Sequence, residues 1–383
     1  MRDVAIVGIG QIPVGEHWDS SLRMLAAEAI ATAFTDAGIK QADALYVGNA
    51  YGGTLSSQTQ LGALVADYAG LKSIEALTIE AAEASGAAAL RTGYLAVASG
   101  AVETALVVGV EKCTDMVGSA RVQARGSSLD ADYEAPHGAT LTALAAMLMR
   151  RYMHEFGVTL DAFEGFSINA HANGARNEYA MFRNIIKPGR FAKAPMVADP
   201  VSLFDTAPDA DGAAAVILTS AERAADLVPH PIRIAASAAA SDTLTLHDRS
   251  DLLYLSAANR SASKAYSQAR VEPHDIHLFE LHDGFTVLSA LTLEATGFAA
   301  RGEGCKLAQS GAISVTGSLP ISTFGGLKSR GNPAGATGVY QAVEAVLQLR
   351  GLAGANQVTN ARTAMLQNLG GLGSTAITHI LQV

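Results

Sequence analysis

One carboxylate of the sequence stands at a turn between two regular elements. Glu83 lies in the segment from Ile79 to Gly86, where a short apolar run gives way to a helix of very small residues. The free N–H groups and the dipole of a helix N-terminus lower the pKa of an acid, whereas an apolar setting raises it. A carboxylate in this place could act as a base, or it could simply initiate the helix.

A second set of polar residues follows two predicted strands. His282 and Asp283 come after the apolar run that begins at Leu278, and Gly371 belongs to a glycine-rich stretch after another predicted strand. The carboxyl ends of strands are where ligands bind in α/β sheets. An imidazole there could donate a hydrogen bond or transfer a proton near neutral pH, although a structural histidine is the simpler alternative.

A glycine-rich turn from Gly325 to Gly338 contains Asn332 followed by Pro333. This pair is typical of a helix N-cap with proline at the first helical position. Asn332 and Glu83 each lie three residues before a glycine, so we expect equivalent helix starts that converge on one pocket. Backbone N–H groups there could bind an oxyanion, and Glu83 is expected to be the one charged side chain among small residues.

Short β-rich runs alternate with longer Ala-rich amphipathic runs along the first third of the chain. The predicted elements are Val4–Gly8, Leu22–Ala37, Ala44–Gly48, Gly86–Ser99 and Ala105–Val110. Strands that alternate with helices are typical of an α/β fold.

The chain repeats itself at a fixed offset. The helix–turn–strand segment 33–47 recurs 232 residues later as 265–279, which predicts two equivalent α/β halves. The predicted divisions are an N-terminal half over 1–117 with a return strand at about 201–222, an insertion over 118–200, and a C-terminal half over 223–383.

The predicted insertion contains a basic segment in a chain that is acidic overall. Five basic residues, among them Arg176, Arg183 and Lys187, face a single acid between positions 176 and 193. A phosphorylated ligand would suit this segment, and a solvated loop or an oligomer contact is the alternative.

Composition excludes several functional classes. A net charge of −9 disfavours nucleic acid and anionic membrane surfaces as partners. Two cysteines, Cys113 and Cys305, are too few for a disulfide scaffold or a cysteine-built zinc site and fit a reducing cytoplasm. Metal-ligand spacings, phosphate-binding loops, a complete dinucleotide fingerprint, targeting segments and membrane-length apolar runs are not found. We therefore expect a soluble, cytoplasmic protein without a metal.

Together these blocks resemble the thiolase superfamily over nearly the whole chain, and they are most similar to the archaeal and sterol-carrier-protein-type thiolases. The matching blocks are 80–86, 109–112, 211–215, 282–285, 325–327 with 331–338, and 368–371. The resemblance implies two βαβαβαββ halves in a five-layered α/β/α/β/α arrangement and an insertion that covers coenzyme A. It also implies a homodimer and a small OB-fold partner protein that binds acyl-CoA.

The departures from the family pattern concern covalent catalysis. By the resemblance, Glu83 stands at the position of the cysteine that accepts the acyl group in thiolases. Asn332 stands at the position of the histidine that activates this cysteine. The second cysteine of the family corresponds to Gly284 or to the stretch around Asn368. A glutamate cannot form and resolve a thioester acyl-enzyme, so ordinary ping-pong acyl transfer is not expected. Ser85, with no histidine to activate it, is a poor substitute.

The retained residues are those that the resemblance assigns to thioester binding. We expect a coenzyme A thioester as substrate, with no covalently bound cofactor, and His282 and Asn332 as donors to its carbonyl oxygen. The residues expected to bind coenzyme A are Arg176, Arg183, Lys187, Gly325, Gly326 and Gly371. The family is one of acyltransferases. The expected reaction of this chain is the retro-aldol cleavage of a β-hydroxyacyl-CoA, or the reverse reaction that forms it, with Glu83 as base. The alternative is a catalytically silent acyl-CoA- or lipid-binding subunit in which Glu83 fills the pocket.

Overall fold

The computed structural model describes residues 2–383, and a nine-stranded mixed β-sheet is its largest element. The strands are β1 (Val4–Gln11), β2 (Ala44–Gly48), β3 (Glu75–Ile79), β4 (Thr104–Glu111), β5 (Met196–Ala198), β6 (Val201–Ser202), β7 (Gly212–Ser220), β8 (Ile232–Ser241), β9 (Leu278–Glu280), β10 (Thr363–Gly370) and β11 (Thr375–Gln382). The helices are α1 (Leu22–Ala37), α2 (Gly52–Leu55), α3 (Leu61–Tyr68), α4 (Ser85–Ser99), α5 (Ser119–Arg125), α6 (Leu141–Phe156), α7 (Glu164–Gly174), α8 (Ala221–Leu227), α9 (Ser256–Ala269), α10 (Thr286–Ala295), α11 (Gly304–Gln309), α12 (Gly326–Ser329) and α13 (Thr337–Leu349).

The order of the strands shows the internal repeat. The sheet runs β3-β2-β4-β7-β1-β8-β11-β10-β9, so the succession β1, β7, β4, β2 on one side matches β8, β11, β10, β9 on the other. Strand β4 is parallel to β2 and antiparallel to β7, and in the same way β10 is parallel to β9 and antiparallel to β11. The halves join where β1 pairs with β8 at Ala5 and Ile6. The predicted duplicated α/β architecture is therefore confirmed.

Alternation of side chains along the strands sorts the core into layers. In β1, Ala5 and Val7 pack with α1 and α3, whereas Val4 and Ile6 face the opposite way, towards α4 and α13. In the second half, Leu366 of β10 packs with α13, and Met365 faces α9 and α10. The α4–α13 pair thus lies between two sheet regions that are covered on their outer faces by further helices, which is the predicted α/β/α/β/α layering.

The structure confirms the predicted bounds of several elements, but the helix after Asn332 begins later than predicted. Strand β2 and helix α1 begin and end at the predicted residues. Helix α13 begins only at Thr337, because Pro333 has φ −83° and ψ +48°, which is not helical. Asn332 is therefore not the N-cap of α13, and a short 3₁₀ turn over 334–336 separates the two.

The residues between β4 and β7 form the region predicted as an insertion. They include α5, α6, α7 and a two-stranded ribbon of β5 and β6, and the helices α6 and α7 pack against α10. The exact division of the chain into three parts stays a prediction. Within residues 2–383, no helix combines the length and the apolar character that crossing a bilayer requires.

Glycines allow the two central helices to approach each other closely. A Cβ on Gly86 would lie 2.7 Å from the carbonyl oxygen of Gly335, and one on Gly338 would lie 2.3 Å from the backbone nitrogen of Ala87. Both distances are shorter than any stable carbon contact, and the colliding atoms are backbone. The small residues of these two segments are therefore needed for the contact between the halves.

The substitution Gly338→Ala should destabilise the protein. Alanine improves the helix propensity of α13 by up to about 1 kcal/mol, but the collision with Ala87 forces the backbones apart, so the free energy of unfolding should fall by about 1 to 3 kcal/mol. Chemical denaturation measures this change. The matched control is Gly53→Ala, because a Cβ there meets nothing closer than 3.8 Å. Equal stability of the two variants would contradict the close contact.

Candidate active site

A cavity of about 300 Å³ lies where strand ends of both halves meet the segment between β4 and β7. The predicted catalytic residues Glu83, His282 and Asn332 line its wall together with Gly371. Glu83 comes after β3, His282 after β9 and Gly371 directly after β10, so the carboxyl ends of strands supply three of the four. Residues that are as much as 288 positions apart in sequence thus share one wall.

The Glu83 carboxylate is buried and fully engaged. Its Oε1 accepts a hydrogen bond from the Tyr51 hydroxyl at 2.6 Å and lies 3.3 Å from Nη2 of Arg125. Its Oε2 accepts the N–H of Gly371 at 2.9 Å. The N–H groups at the start of α4, which the sequence suggested as its partners, do not contact it, and the carboxylate is instead held by three other segments of the chain.

These partners decide the charge of Glu83. Burial raises the pKa of the Glu83 carboxyl, but the Arg125 charge, the Tyr51 hydrogen bond and the Gly371 N–H outweigh it, so the pKa lies below its ordinary value. Burial and the Glu83 charge raise the pKa of the Tyr51 hydroxyl. At neutral pH the site therefore holds an ionised carboxylate and a protonated phenol.

His282 presents one nitrogen to the cavity. Its Nδ1 lies 3.0 Å from Nδ2 of Asn368, and an amide nitrogen that donates there places the ring proton on Nε2. Burial lowers the pKa of His282 to about 4 despite the nearby Glu83 charge, so the ring is neutral. Nε2 faces Gly284, where a Cβ would lie only 3.1 Å away, and the missing side chain leaves this N–H open to the cavity.

Asn332 is held by its backbone and by its own turn. Its N–H donates to the carbonyl oxygen of Pro208, and its carbonyl oxygen accepts the N–H of Ala210. Its side-chain Oδ1 accepts the N–H of Ala334 at 3.1 Å and lies 3.4 Å from the Thr337 hydroxyl. Because Oδ1 is engaged in the turn, the amide N–H groups of Asn332 are the ones available to the cavity. His282 and Asn332 together can polarise a carbonyl group and stabilise an oxyanion.

The cavity wall contains charged residues that the sequence reasoning missed. Arg125 forms ion pairs with both Glu83 and Asp209, and Nε of Arg121 lies 3.0 Å from the second oxygen of Asp209. The expectation that Glu83 is the one charged side chain among small residues is therefore wrong. Arg121 and Arg125 are four residues apart, which places them on one face of α5, but no local pattern indicates that this helix folds over Glu83.

The predicted basic segment lies outside this cavity. Arg176, Arg183 and Lys187 are exposed and belong to no part of its wall. The chain between Arg183 and Lys187 lines a second, mostly apolar cavity of about 320 Å³, which shares Leu203 and Thr206 with the first. The binding of coenzyme A by these residues stays a prediction.

Two of the predicted ligand-binding glycines have a packing role. A Cβ on Gly325 would lie 2.9 Å from the Cα of Gly174, and one on Gly326 would lie 2.4 Å from a carboxylate oxygen of Asp283. Both glycines have positive φ, at +106° and +53°. These constraints explain their presence without a ligand, whereas Gly371 reaches the cavity and donates to Glu83.

The cysteines and Ser85 do not line the cavity. Burial raises the pKa of the Cys113 thiol, and it raises that of Cys305 to about 12. The Ser85 hydroxyl donates to the carbonyl oxygen of Ala82 at 2.5 Å and accepts the N–H of Ala81. In the part of the chain that the structure describes, no cysteine or serine lines the cavity wall.

Known proteins share this architecture over its whole length. The family description "Thiolase, N-terminal domain" matches residues 4–222, and "Thiolase C-terminal domain-like" matches residues 238–383. The chain is 43% identical over 382 residues to the acetyl-CoA acetyltransferase of Methanothermobacter thermautotrophicus, covering 99% of each protein. It is 31% identical over 364 residues to the 17-hydroxy-3-oxo-4-pregnene-20-carboxyl-CoA lyase of Mycobacterium tuberculosis, covering 91% of each. The solved structure of the Ltp2-ChsH2(DUF35) aldolase superposes with a TM-score of 0.86 at 26% identity, covering 100% of this chain and 98% of that one. The chain therefore belongs to the thiolase family.

Proposed function

We propose that the chain acts on acyl-CoA thioesters and breaks or forms the C–C bond of a β-hydroxyacyl-CoA by a retro-aldol reaction. The observation that carries the proposal is an ionised carboxylate, Glu83, on the same cavity wall as the N–H donors of His282 and Asn332. Cysteine and serine nucleophiles are not found on that wall within residues 2–383. A lyase and an aldolase among the relatives support this reaction class.

The proposed reaction needs a base at the β-hydroxyl group. Oε2 of Glu83 takes the hydroxyl proton, the oxygen electrons form a carbonyl group, and the Cα–Cβ bond breaks. Its electron pair passes to the thioester as an enolate, which then takes a proton at Cα from Glu83. The products are a ketone or aldehyde and a shorter acyl-CoA, and no oxidant or reductant is required.

The enolate oxygen needs donors that are already in place. His282 Nε2 and the Asn332 amide are held by Asn368 and by the 334–337 turn, so they need no reorganisation when the charge develops. The loss of one such donor typically costs a hundred- to a thousand-fold in rate. A neutral His282 is suited to this role because it donates a hydrogen bond and does not deliver its proton.

The coenzyme A moiety is proposed to extend from the cavity towards the basic segment with Arg176, Arg183 and Lys187. Its phosphates would be matched by these exposed cations, and its pantetheine arm by the apolar second cavity beside Leu203. A cytoplasmic location is proposed because Cys113 and Cys305 are both unpaired.

A homodimer and a small OB-fold partner protein are also proposed. Strand β3 is the outermost strand of its half and has an unpaired edge, with Leu77 49% exposed, and such an edge suits pairing with a second chain. The related aldolase is a complex of two components, Ltp2 and ChsH2(DUF35), which supports a partner protein here.

The second candidate function is a catalytically silent acyl-CoA-binding subunit. The observation that favours it is the complete engagement of Glu83 by Tyr51, Arg125 and Gly371, as expected of a structural carboxylate. This candidate predicts ligand binding without turnover.

The substitution Glu83→Gln distinguishes the two functions. Glutamine has the size of glutamate but cannot take the hydroxyl proton, so turnover of 3-hydroxyacyl-CoA thioesters should fall by a hundred-fold or more, as about 10² to 10⁴ is typical of a general base. Mass spectrometry of the released acyl-CoA and carbonyl product measures the rate. The control is Glu80→Gln, because Glu80 is exposed in the same turn. Unchanged turnover in folded Glu83→Gln would eliminate the base.

The pH dependence of kcat/KM should be flat around neutrality. The pKa of Glu83 lies below its ordinary value and that of His282 is about 4, so an ionised base and a neutral imidazole both persist into the acid range. We therefore expect a constant kcat/KM from about pH 6 to pH 8 and a fall only as the pH approaches about 4, where His282 becomes charged. Stopped assays with circular dichroism as a control for folding test this. A rise of kcat/KM between pH 6 and pH 8 would contradict it.

A further inference from the structure

Arg125 lies in the cavity wall and forms ion pairs with two carboxylates, Glu83 and Asp209. Its Nη2 lies 3.3 Å from Oε1 of Glu83, and its Nη1 forms an ion pair with Asp209. Its guanidinium carbon also lies 6.0 Å from the centre of the Tyr51 ring, and Tyr51 donates to the same Oε1 atom. Three neighbours therefore determine where this cation sits.

The helix that carries Arg125 has little packing of its own. Ala124 is the one buried residue of α5. Arg121 and Arg125 lie on one face of this helix and both contact Asp209, while Ala124 packs in an apolar cluster with Tyr51 and Ala334. Asp209 therefore holds the cation directly, on a helix that this apolar contact attaches to the wall.

We propose that Arg125 is a positioning residue for Glu83: its guanidinium, held in place by Asp209, fixes the orientation of the carboxylate and balances its charge. Arg125 does not touch the substrate in this role and acts through Glu83. The proposal deepens the proposed function, on which its catalytic meaning rests.

The other groups that face Glu83 are uncharged donors. They are the Tyr51 hydroxyl from the start of α2, the neutral His282 ring after β9 and the Gly371 N–H after β10. Among the described residues that contact the Glu83 carboxylate, Arg125 alone brings a positive charge. A buried carboxylate without a cation tends to take up a proton. Loss of Arg125 should therefore leave burial as the dominant influence on Glu83.

Infrared spectroscopy tests this without turnover. The carbonyl band of the protonated Glu83 carboxyl appears in pH-difference spectra and is assigned by its loss in Glu83→Gln. In Arg125→Gln and Arg125→Met the midpoint of this band should move to higher pH by about one unit or more, since a nearby opposite charge typically lowers a carboxyl pKa by 1 to 3 units. In Arg125→Lys, which keeps the charge, the shift should be smaller.

Arg121→Gln is the matched control, because it removes the same charge from the same helix face but from a side chain that contacts Asp209 and not Glu83. Its Glu83 band should move less than that of Arg125→Gln. An unchanged midpoint in the neutral Arg125 variants, or an equal shift in Arg121→Gln, would overturn the proposal.

Activity measurements separate this proposal from the proposed function. If wild-type protein turns over 3-hydroxyacyl-CoA, the acid limb of kcat/KM should move with the infrared band in the Arg125 variants. A shifted band in a protein that turns over none of these thioesters would uphold the role of Arg125 and remove the proposed reaction. Turnover by wild-type protein with an unshifted band would do the reverse.

Discussion

Transfer of a carboxylate from water into a protein interior costs free energy unless charges and hydrogen bonds replace the lost water. Glu83 is 2% exposed, and the groups that replace its water come from three distant segments, which carry Tyr51, Arg125 and Gly371. The first lies at the start of α2, the second between β4 and β7, and the third directly after β10. The ionised state of this side chain therefore depends on the correct assembly of the whole chain.

The close approach of α4 and α13 makes this assembly possible. Gly86 and Gly338 let backbone meet backbone, which brings the turn before α4 close to the strand ends of the second half. A side chain at either position would separate the two halves and, with them, the groups that surround the carboxylate. The abundance of small residues here is a requirement of geometry and not a general property of the composition.

The sequence was informative where local patterns and long-range repetition agreed. Periodicity located α1 and β2, and the recurrence at 232 residues indicated the two halves, because both signals come from burial on a repeating surface. It failed for Asn332, where Asn-Pro is typical of a helix start but the ψ of Pro333 delays the helix to Thr337. It also missed Arg125, because an ion pair between an insertion and a turn leaves no local trace in either segment.

The repeat places Glu83 and Asn332 before the corresponding helices of the two halves, and the two side chains differ in kind. One is an anion that accepts hydrogen bonds, and the other is a neutral amide that can donate them. Two identical residues at these positions, as a newly duplicated chain would have, would place two anions or two amides on the cavity wall. Divergence at this single pair of related positions gives a duplicated scaffold a polarised cavity wall, with an acceptor of hydrogen bonds from one half and a donor of hydrogen bonds from the other.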